Sequence, residues 1–311
     1  MNNSAIALVN TTNIARDEWL TWRMRGLGGS DAAAAAGLNP WKSPLTLWME
    51  KRGELPPVEE NEVMKWGNLL EPLIAQEFER QSGLKVRRRN AILQHQDMPF
   101  MLADVDRLIV GVNEGLEIKT ANEYAKEDWE GENIPTAYLL QCAHYMAVTG
   151  YQAWWIAVLI GGNKFRFKRI ERDEEMIQAL IKIEQDFWAL VEEGTPPAPD
   201  GSESSSNVLD VLYPHSYANT SIELPLDAAK FIAEFDQASV QLEAAKLAQE
   251  EAANKLKALL GENETGWIGE HKVVWKSVVS KRIDSKALKA DMPSIYDKYA
   301  KESESRRFTV K

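Results

Sequence analysis

The feature that most limits the fold is the segment Met101–Thr120, MLADVDRLIVGVNEGLEIKT. Leu108 to Val112 and Leu116 to Thr120 are short, apolar and rich in strand formers. Asn113-Glu114-Gly115 between them is turn chemistry, so the segment predicts two strands joined by a tight turn. Side chains alternate along a strand, so Leu116 and Ile118 anchor one face while Glu117 and Lys119 share a surface on the other. Asp104 and Asp106 lie just before the first strand, and the turn folds that end back beside Glu117 and Lys119. Two carboxylates and an ammonium at one spot suit metal-assisted phosphodiester cleavage. Hard oxygen ligands hold Mg²⁺ while leaving water on it, and a fixed cation stabilises charge growing on the phosphate. A solvated hairpin face carrying a Glu/Lys pair is the alternative reading of the same residues.

At 311 residues with 44% hydrophobic content, the chain suits one large domain plus an appendage, or two domains. A formal net charge of −11 excludes a broad electrostatic footprint for nucleic acid, so any DNA contact has to come from a local basic groove. Lys85 to Asn90, KVRRRN, is the one basic burst near the motif strands and is a candidate for that groove. Cys142 is the single cysteine, which rules out an intrachain disulfide and a cysteine zinc cluster and fits a reducing, cytoplasmic setting. Met1-Asn-Asn-Ser lacks the basic and apolar regions of a secretion signal. Ala153 to Ile160 is too short an apolar run to span a bilayer as a helix.

Asp17 to Arg25 reads as a short amphipathic helix leading into Arg25-Gly-Leu-Gly-Gly-Ser-Asp31 and an alanine helix ended by Gly37. Ser30 or Asp31 is placed to cap that helix, and Arg25 stands beside its start, where an anion can sit. Trp41 and Trp48 suit core packing or base stacking, and the acidic run Glu59 to Glu62 is expected to be a loop. In Gly67 to Phe78, Leu70, Leu73, Ile74 and Phe78 recur at helical spacing, with Glu71 bordering the stripe beside Pro72. A carboxylate at the edge of a buried face needs a partner, which a metal ion, Lys65 or Arg80 would supply. Tyr124 to Asn133 is expected to be a mobile loop. A helix from Pro135 to Gly150 puts Tyr138, Gln141 and Tyr145 on one face, and Gln141 there is not explained by packing. His144 is expected to pack or hydrogen-bond rather than act as a base. A hairpin at 152–170 and a helix capped by Asp173 follow. Thr195 to Ser206, rich in proline and serine, marks the boundary. Beyond it, Ala228 to Leu260 predicts a long helix with a heptad-like stripe, followed by a hairpin through Trp267 and Val273 and a last strand at Arg307–Val310.

An Asp, a turn and then Glu-x-Lys on the next strand resembles the PD-(D/E)xK nuclease core. "ADVDRL…GLEIKT" with "GNLLEP" and "PTAYLLQ" is similar to the YqaJ-type viral recombinase branch, the phage lambda exonuclease-like family. Val105 stands where that motif often has proline, which leaves Asp104 and Asp106 as rivals for the ligand, with the following "DRL" favouring Asp106. The resemblance implies an α/β, restriction-endonuclease-like core, a mixed central sheet flanked by helices, at 1–195. A linker at 196–220 and an appendage at 221–311, a long helix plus a small β-hairpin, complete the expected organisation. It implies that Glu71, Asp106, Glu117 and the Ile118 carbonyl hold Mg²⁺, with Mn²⁺ as a substitute. It further implies that Lys119 and Gln141 serve catalysis, and that Arg25 and Ser30, with Tyr138 nearby, hold DNA and its terminal 5′-phosphate.

The activity implied is a 5′-to-3′ exonuclease of phage or prophage origin that digests one strand of linear duplex DNA and yields 5′-phosphates for recombination. Family members form rings, commonly trimers, and act beside a single-strand annealing protein. Two other functions compete: a site- or structure-specific endonuclease, and a catalytically silent DNA-binding scaffold.

Overall fold

In the computed structural model, residues 5–56, 61–301 and 305–310 are described. Met1–Ser4 and the Glu59–Glu60 part of the acidic run lie outside the described residues. The chain divides into two compact units, 1–212 and 213–311.

The first unit begins with strand β1 (Ile6–Asn10) and three short helices, α1 (Arg16–Arg23), α2 (Gly29–Ala35) and α3 (Pro44–Arg52). Helix α4 (Glu62–Ser82) follows, and its start is set by Asn61, whose side chain accepts from the Met64 N–H at 2.9 Å. The expected helix at 67–78 is thus longer at both ends, and Pro72 and Glu71 sit mid-helix rather than near a terminus. Strands β2 (Val86–Arg87), β3 (Ala91–Gln94), β4 (Leu102–Asp104), β5 (Arg107–Ile109) and β6 (Glu114–Ala121) come next. The segment expected as a mobile loop is instead a 3-10 helix, Glu123–Trp129, pinned by the buried Trp129 stacking on Tyr138 at 5.6 Å. Helix α5 (Thr136–Thr149) ends at Gly150, whose left-handed backbone (φ 72°) stops it. Strands β7 (Ala153–Ile160) and β8 (Lys164–Glu171), helix α6 (Glu174–Glu193) and helix α7 (Glu203–Leu212) complete the unit.

Two sheets result, β1-β3-β4 and the mixed β2-β5-β6-β7-β8. The chain leaves one sheet at Asp104 and enters the other at Arg107, so Val105-Asp106 is the crossing point. Against β6, strand β5 pairs only at Leu116 and Gly115, while β7 runs parallel along the whole strand. The edge of β6 beyond Leu116 is therefore open on the β5 side, where Asp106 sits. Leu116 and Ile118 pack on Ile74, Ala75 and Phe78 of α4, while α5 covers the opposite face. This is the mixed α/β, helix-flanked sheet expected from the sequence.

Gly115 shows how closely the two parallel strands are fitted. A Cβ there would lie 2.1 Å from the buried Trp154 ring. Gly115→Ala is expected to cost about 1–3 kcal/mol of stability and to lower the melting temperature by several degrees. An unchanged melting curve would mean the indole moves aside freely.

The break between units falls after Leu212, later than the 195 expected. Helix α7, read as linker, packs against α3: Ser205 and Val208 are buried, and the Ser204 hydroxyl meets Thr46 at 2.8 Å. Short serines, each satisfied by a neighbour, allow this close approach. The second unit comprises α8 (Ala228–Leu260), a hairpin of β9 (Thr265–Ile268) and β10 (His271–Val274), then α9 (Ser285–Asp291) and α10 (Pro293–Tyr299). Residues 307–310 form no strand; Phe308 packs edge-on against Phe235 of α8, ring centroids 5.8 Å apart, and so follows the helix surface. Among the described residues, no helix is long and apolar enough to cross a membrane.

Candidate active site

Glu117 and Lys119 share a face of β6, as alternation requires, but that face is no open surface. The Glu117 side chain is 3% exposed and that of Lys119 21%, because Gln141 of α5 bonds the first and the Tyr138 ring of α5 lies under the second. Glu117 Oε1 accepts from Lys119 Nζ at 2.6 Å and from Gln141 Nε2 at 2.7 Å. Among the described residues, Glu117 Oε2, buried on the same carboxylate, has no hydrogen-bond partner. A buried carboxylate oxygen left bare is costly, and a cation would satisfy it.

Asp106 reaches the same place from the sheet crossing. Its Oδ2 accepts from the Ile118 N–H at 2.7 Å, filling the open edge of β6. In a strand, the N–H and C=O of one residue point to the same side, so the Ile118 carbonyl also opens toward Asp106. Asp104, the rival, lies two residues away on the same cavity wall and is engaged differently: its Oδ2 accepts from Trp19 Nε1 at 2.7 Å. Asp106 is therefore the aspartate joined to the Glu-x-Lys strand.

These groups line a cavity of about 400 Å³ with Glu71, Ser30, Arg23, Arg88, Arg89 and Tyr145 on its walls. The basic burst thus contributes Arg88 and Arg89 to the site, inside an acidic protein. Glu71 reaches the cavity, but its carboxylate forms an ion pair with Arg107, whose guanidinium also donates to the Asp106 carbonyl at 2.7 Å. Among the described residues, no three His, Cys, Asp or Glu side chains are grouped to hold a metal unaided. The four-ligand set expected from the sequence is thus brought together only in part, with Glu71 turned to an arginine rather than to Lys65 or Arg80.

Arg25 does not line the cavity; its guanidinium stacks on Trp22, 4.0 Å from the ring centroid. Arg23 takes that place, donating to Ser30 Oγ at 2.8 Å and lying 4.9 Å over Trp19. The physical signal was in the helix: α1 ends at Arg23, and Trp19 and Arg23 are four residues apart on one face. Asp31 does not line the cavity; its Oδ2 accepts from the Gly28 N–H at 3.0 Å and from Lys51 at 2.7 Å, and lies 3.6 Å from the Arg23 guanidinium. Burial would raise its pKa, but Lys51 and Arg23 outweigh that and hold the carboxyl well below the usual range.

Tyr138 is outside the cavity wall but directly under the amine: Lys119 Nζ stands 5.0 Å over its ring. Tyr145 does more than share a face with Tyr138: its hydroxyl accepts from Gln141 at 2.9 Å and donates to the Asp104 carbonyl at 3.1 Å. Gln141 is thereby fixed between Tyr145 and Glu117. Gly29 makes room for both, since a Cβ there would fall 2.5 Å from Tyr145 and 3.1 Å from Gln141. His144 is a structural hydrogen-bonding residue: its ring nitrogens meet Glu184 at 2.8 Å and the Leu102 carbonyl at 2.8 Å, all buried.

Burial, reinforced by the neighbouring Glu117 charge, pushes the Asp106 carboxyl well up; burial likewise raises Glu117 despite the offsetting Lys119. Burial alone would lower Lys119, but Glu117 and Asp106 outweigh it and keep the amine charged. The folded, metal-free protein therefore binds protons that the unfolded chain releases above about pH 4. Its stability is expected to fall as pH rises through the elevated values of Asp106 and Glu117. His144 acts in the same sense: burial opposes its charge, but Glu184 raises its pKa, so that contribution is also lost as pH rises. Asp31 has the opposite sign, its contribution being lost only on acidification below the ordinary carboxylate range. Thermal melts in chelator from pH 5 to pH 8 should show a declining midpoint, flattened by Asp106→Asn, over about the range above the carboxylate values. A midpoint that climbs with pH would contradict this electrostatic picture.

The family model of the YqaJ-like viral recombinase domain matches residues 18–152. The protein YqaJ of Bacillus subtilis (strain 168) is 42% identical over 311 residues, spanning 99% of this chain and 98% of its own. An alkaline exonuclease (LHK-Exo) from Laribacter hongkongensis superposes with a TM-score of 0.50 at 21% identity, over 63% of this chain and 100% of that one. LHK-Exo in complex with dAMP gives a TM-score of 0.50 at 22% identity, over 58% of this chain and 94% of that one. At these identities the likeness to the exonuclease is one of fold.

Proposed function

Because the chain belongs to the YqaJ-like viral recombinase family, we propose that it is a divalent-metal-dependent deoxyribonuclease that digests one strand of linear duplex DNA from its 5′ end. The observation that carries this reading is the convergence of Asp106, Glu117 and Lys119 on one cavity, with Glu117 Oε2 buried and bare. That donor set fits a hard cation: two carboxylates and a backbone carbonyl are the ligands Mg²⁺ takes when it retains water and substrate oxygen. Asp106, Glu117 and the Ile118 carbonyl would hold Mg²⁺ or Mn²⁺, with Glu71 on the same wall. When bound, the cation supplies a water of lowered pKa and neutralises charge on the phosphate.

The chain's own residues do the rest. Lys119, held charged between two acids, puts a fixed positive charge beside the scissile phosphate and orients the attacking water. Gln141 keeps Glu117 in position and offers its amide oxygen to that water. Arg23 with Ser30 receives the terminal 5′-phosphate, the role the sequence alone gave to Arg25. Arg88 and Arg89 track the backbone. A phosphate regenerated at the new end by each cut re-enters the Arg23 subsite, which biases motion one way. A ring assembly and a single-strand annealing partner belong to the same reading.

The test is incubation of linear and closed circular duplexes with Mg²⁺ and with chelator. Metal-dependent loss of the linear form alone supports the exonuclease. Cutting of both identifies an endonuclease, and cutting of neither leaves a scaffold.

A further inference from the structure

Helix α8 is 33 residues long, and its apolar side chains are left in solvent: Leu242 is 55% exposed and Leu259 84%. Its sequence carries a heptad seam along its whole length, with one polar residue, Gln249, on it. The a positions are Ala228, Phe235, Leu242, Gln249 and Leu256, and the d positions are Phe231, Ala238, Ala245, Ala252 and Leu259. Val240 and Leu247 fall on the outer f position and take no part. The asymmetry is informative, since a carries most of the bulk and d is mostly alanine. We propose that α8 pairs with α8 of a second copy of this chain as an antiparallel two-stranded coiled coil.

The complementarity selects both the occupant and the direction. With the helices antiparallel and fully overlapped, Phe235 meets Ala252 of the second copy, Leu242 meets Ala245, and Gln249 meets Ala238. Large side chains fill the space that small ones leave in the Phe235, Leu242 and Ala228–Leu259 layers, while Phe231 meets Leu256 toward each end. In the same register, Glu234 at g lies beside Lys255 at g of the other helix, and the two-fold axis repeats the pair at the other end. A parallel pairing would stack Phe on Phe and Ala on Ala in alternating crowded and hollow layers, and would set Glu234 beside Ser239 and Lys255 beside Leu260. Within one copy, among the described residues, Glu234 and Lys255 pair with exposed neighbours one turn away, Lys230 at 3.8 Å and Glu251 at 2.5 Å. Phe308 touches the edge of Phe235 but leaves it 45% exposed. The seam is independent of the nuclease reading.

The experiment uses the full chain with a nitroxide at Ala244→Cys or at Ala258→Cys; the native Cys142 is buried and stays unlabelled. Dipolar spectroscopy should give a short interchain distance at 244, near the two-fold, and about 45 Å at 258 from the axial rise per residue. Short distances at both sites would mean a parallel pair, and no defined interchain distance at 244 would mean no pairing; either overturns the proposal. As a second arm, Glu234→Lys should weaken self-association by about tenfold or more, since like charges then face each other twice. Glu234→Lys with Lys255→Glu should restore it. Failure of the double exchange to rescue would also overturn the register.

Discussion

Lys119→Ala is expected to abolish cleavage of linear duplex DNA, lowering the single-turnover rate by at least about 10²-fold and toward 10³-fold, the effect of removing one preorganised charge from a buried reaction centre. Binding of DNA should be little changed, because Lys119 points into the cavity while Arg23, Arg88 and Arg89 remain. The amine is packed between the Glu117 carboxylate at 2.6 Å and the Tyr138 ring at 5.0 Å, so a water cannot take over its charge. Lys119→Arg should not rescue, since the broader guanidinium must displace Tyr138 or Glu117. Wild-type turnover in the alanine variant would remove Lys119 from the mechanism.

The second large effect separates Arg23, which lines the cavity, from Arg25, the arginine that the family resemblance points to. Arg23→Ala should impair digestion of 5′-phosphorylated ends by about 10- to 100-fold, a charge-assisted contact of about 1.5–3 kcal/mol, and should affect 5′-hydroxyl ends far less. Arg25→Ala should leave both nearly unchanged, since that guanidinium is spent on the Trp22 face outside the cavity. Equal loss on both kinds of end in the Arg23 variant would refute a phosphate role, and a selective loss in the Arg25 variant would return the role to it.

What could be read in advance was local. The Glu-x-Lys strand, the helix from 136 to 149, the hairpin across 161–163 and the long helix at 228–260 all announce themselves through periodicity and capping. What could not be read depends on neighbours distant in sequence. Glu117 was expected on a shared surface; its burial comes from α5, whose Gln141 lies 24 residues on. Glu71 was recognisable as a misplaced carboxylate, but its partner Arg107 is brought beside it only by the sheet crossing at Asp106. The serine-rich stretch looked incapable of packing, yet Ser204 and Ser205 pack because Thr46 and Asp200 satisfy them. Arg23 is legible in principle, four residues after Trp19, but the amphipathic pattern does not mark where α1 ends, and the helix stops at Arg23, two residues before Arg25.

The most direct test is a crystal structure of the full chain with duplex DNA and Ca²⁺, which occupies oxygen sites at about 2.3–2.6 Å. The account predicts a cation touching Asp106, Glu117 through its bare Oε2, and the Ile118 carbonyl, with Lys119 Nζ beside the bound phosphate. A cation held elsewhere, or DNA whose phosphates avoid this cavity while Glu117 Oε2 stays unpartnered, would contradict it.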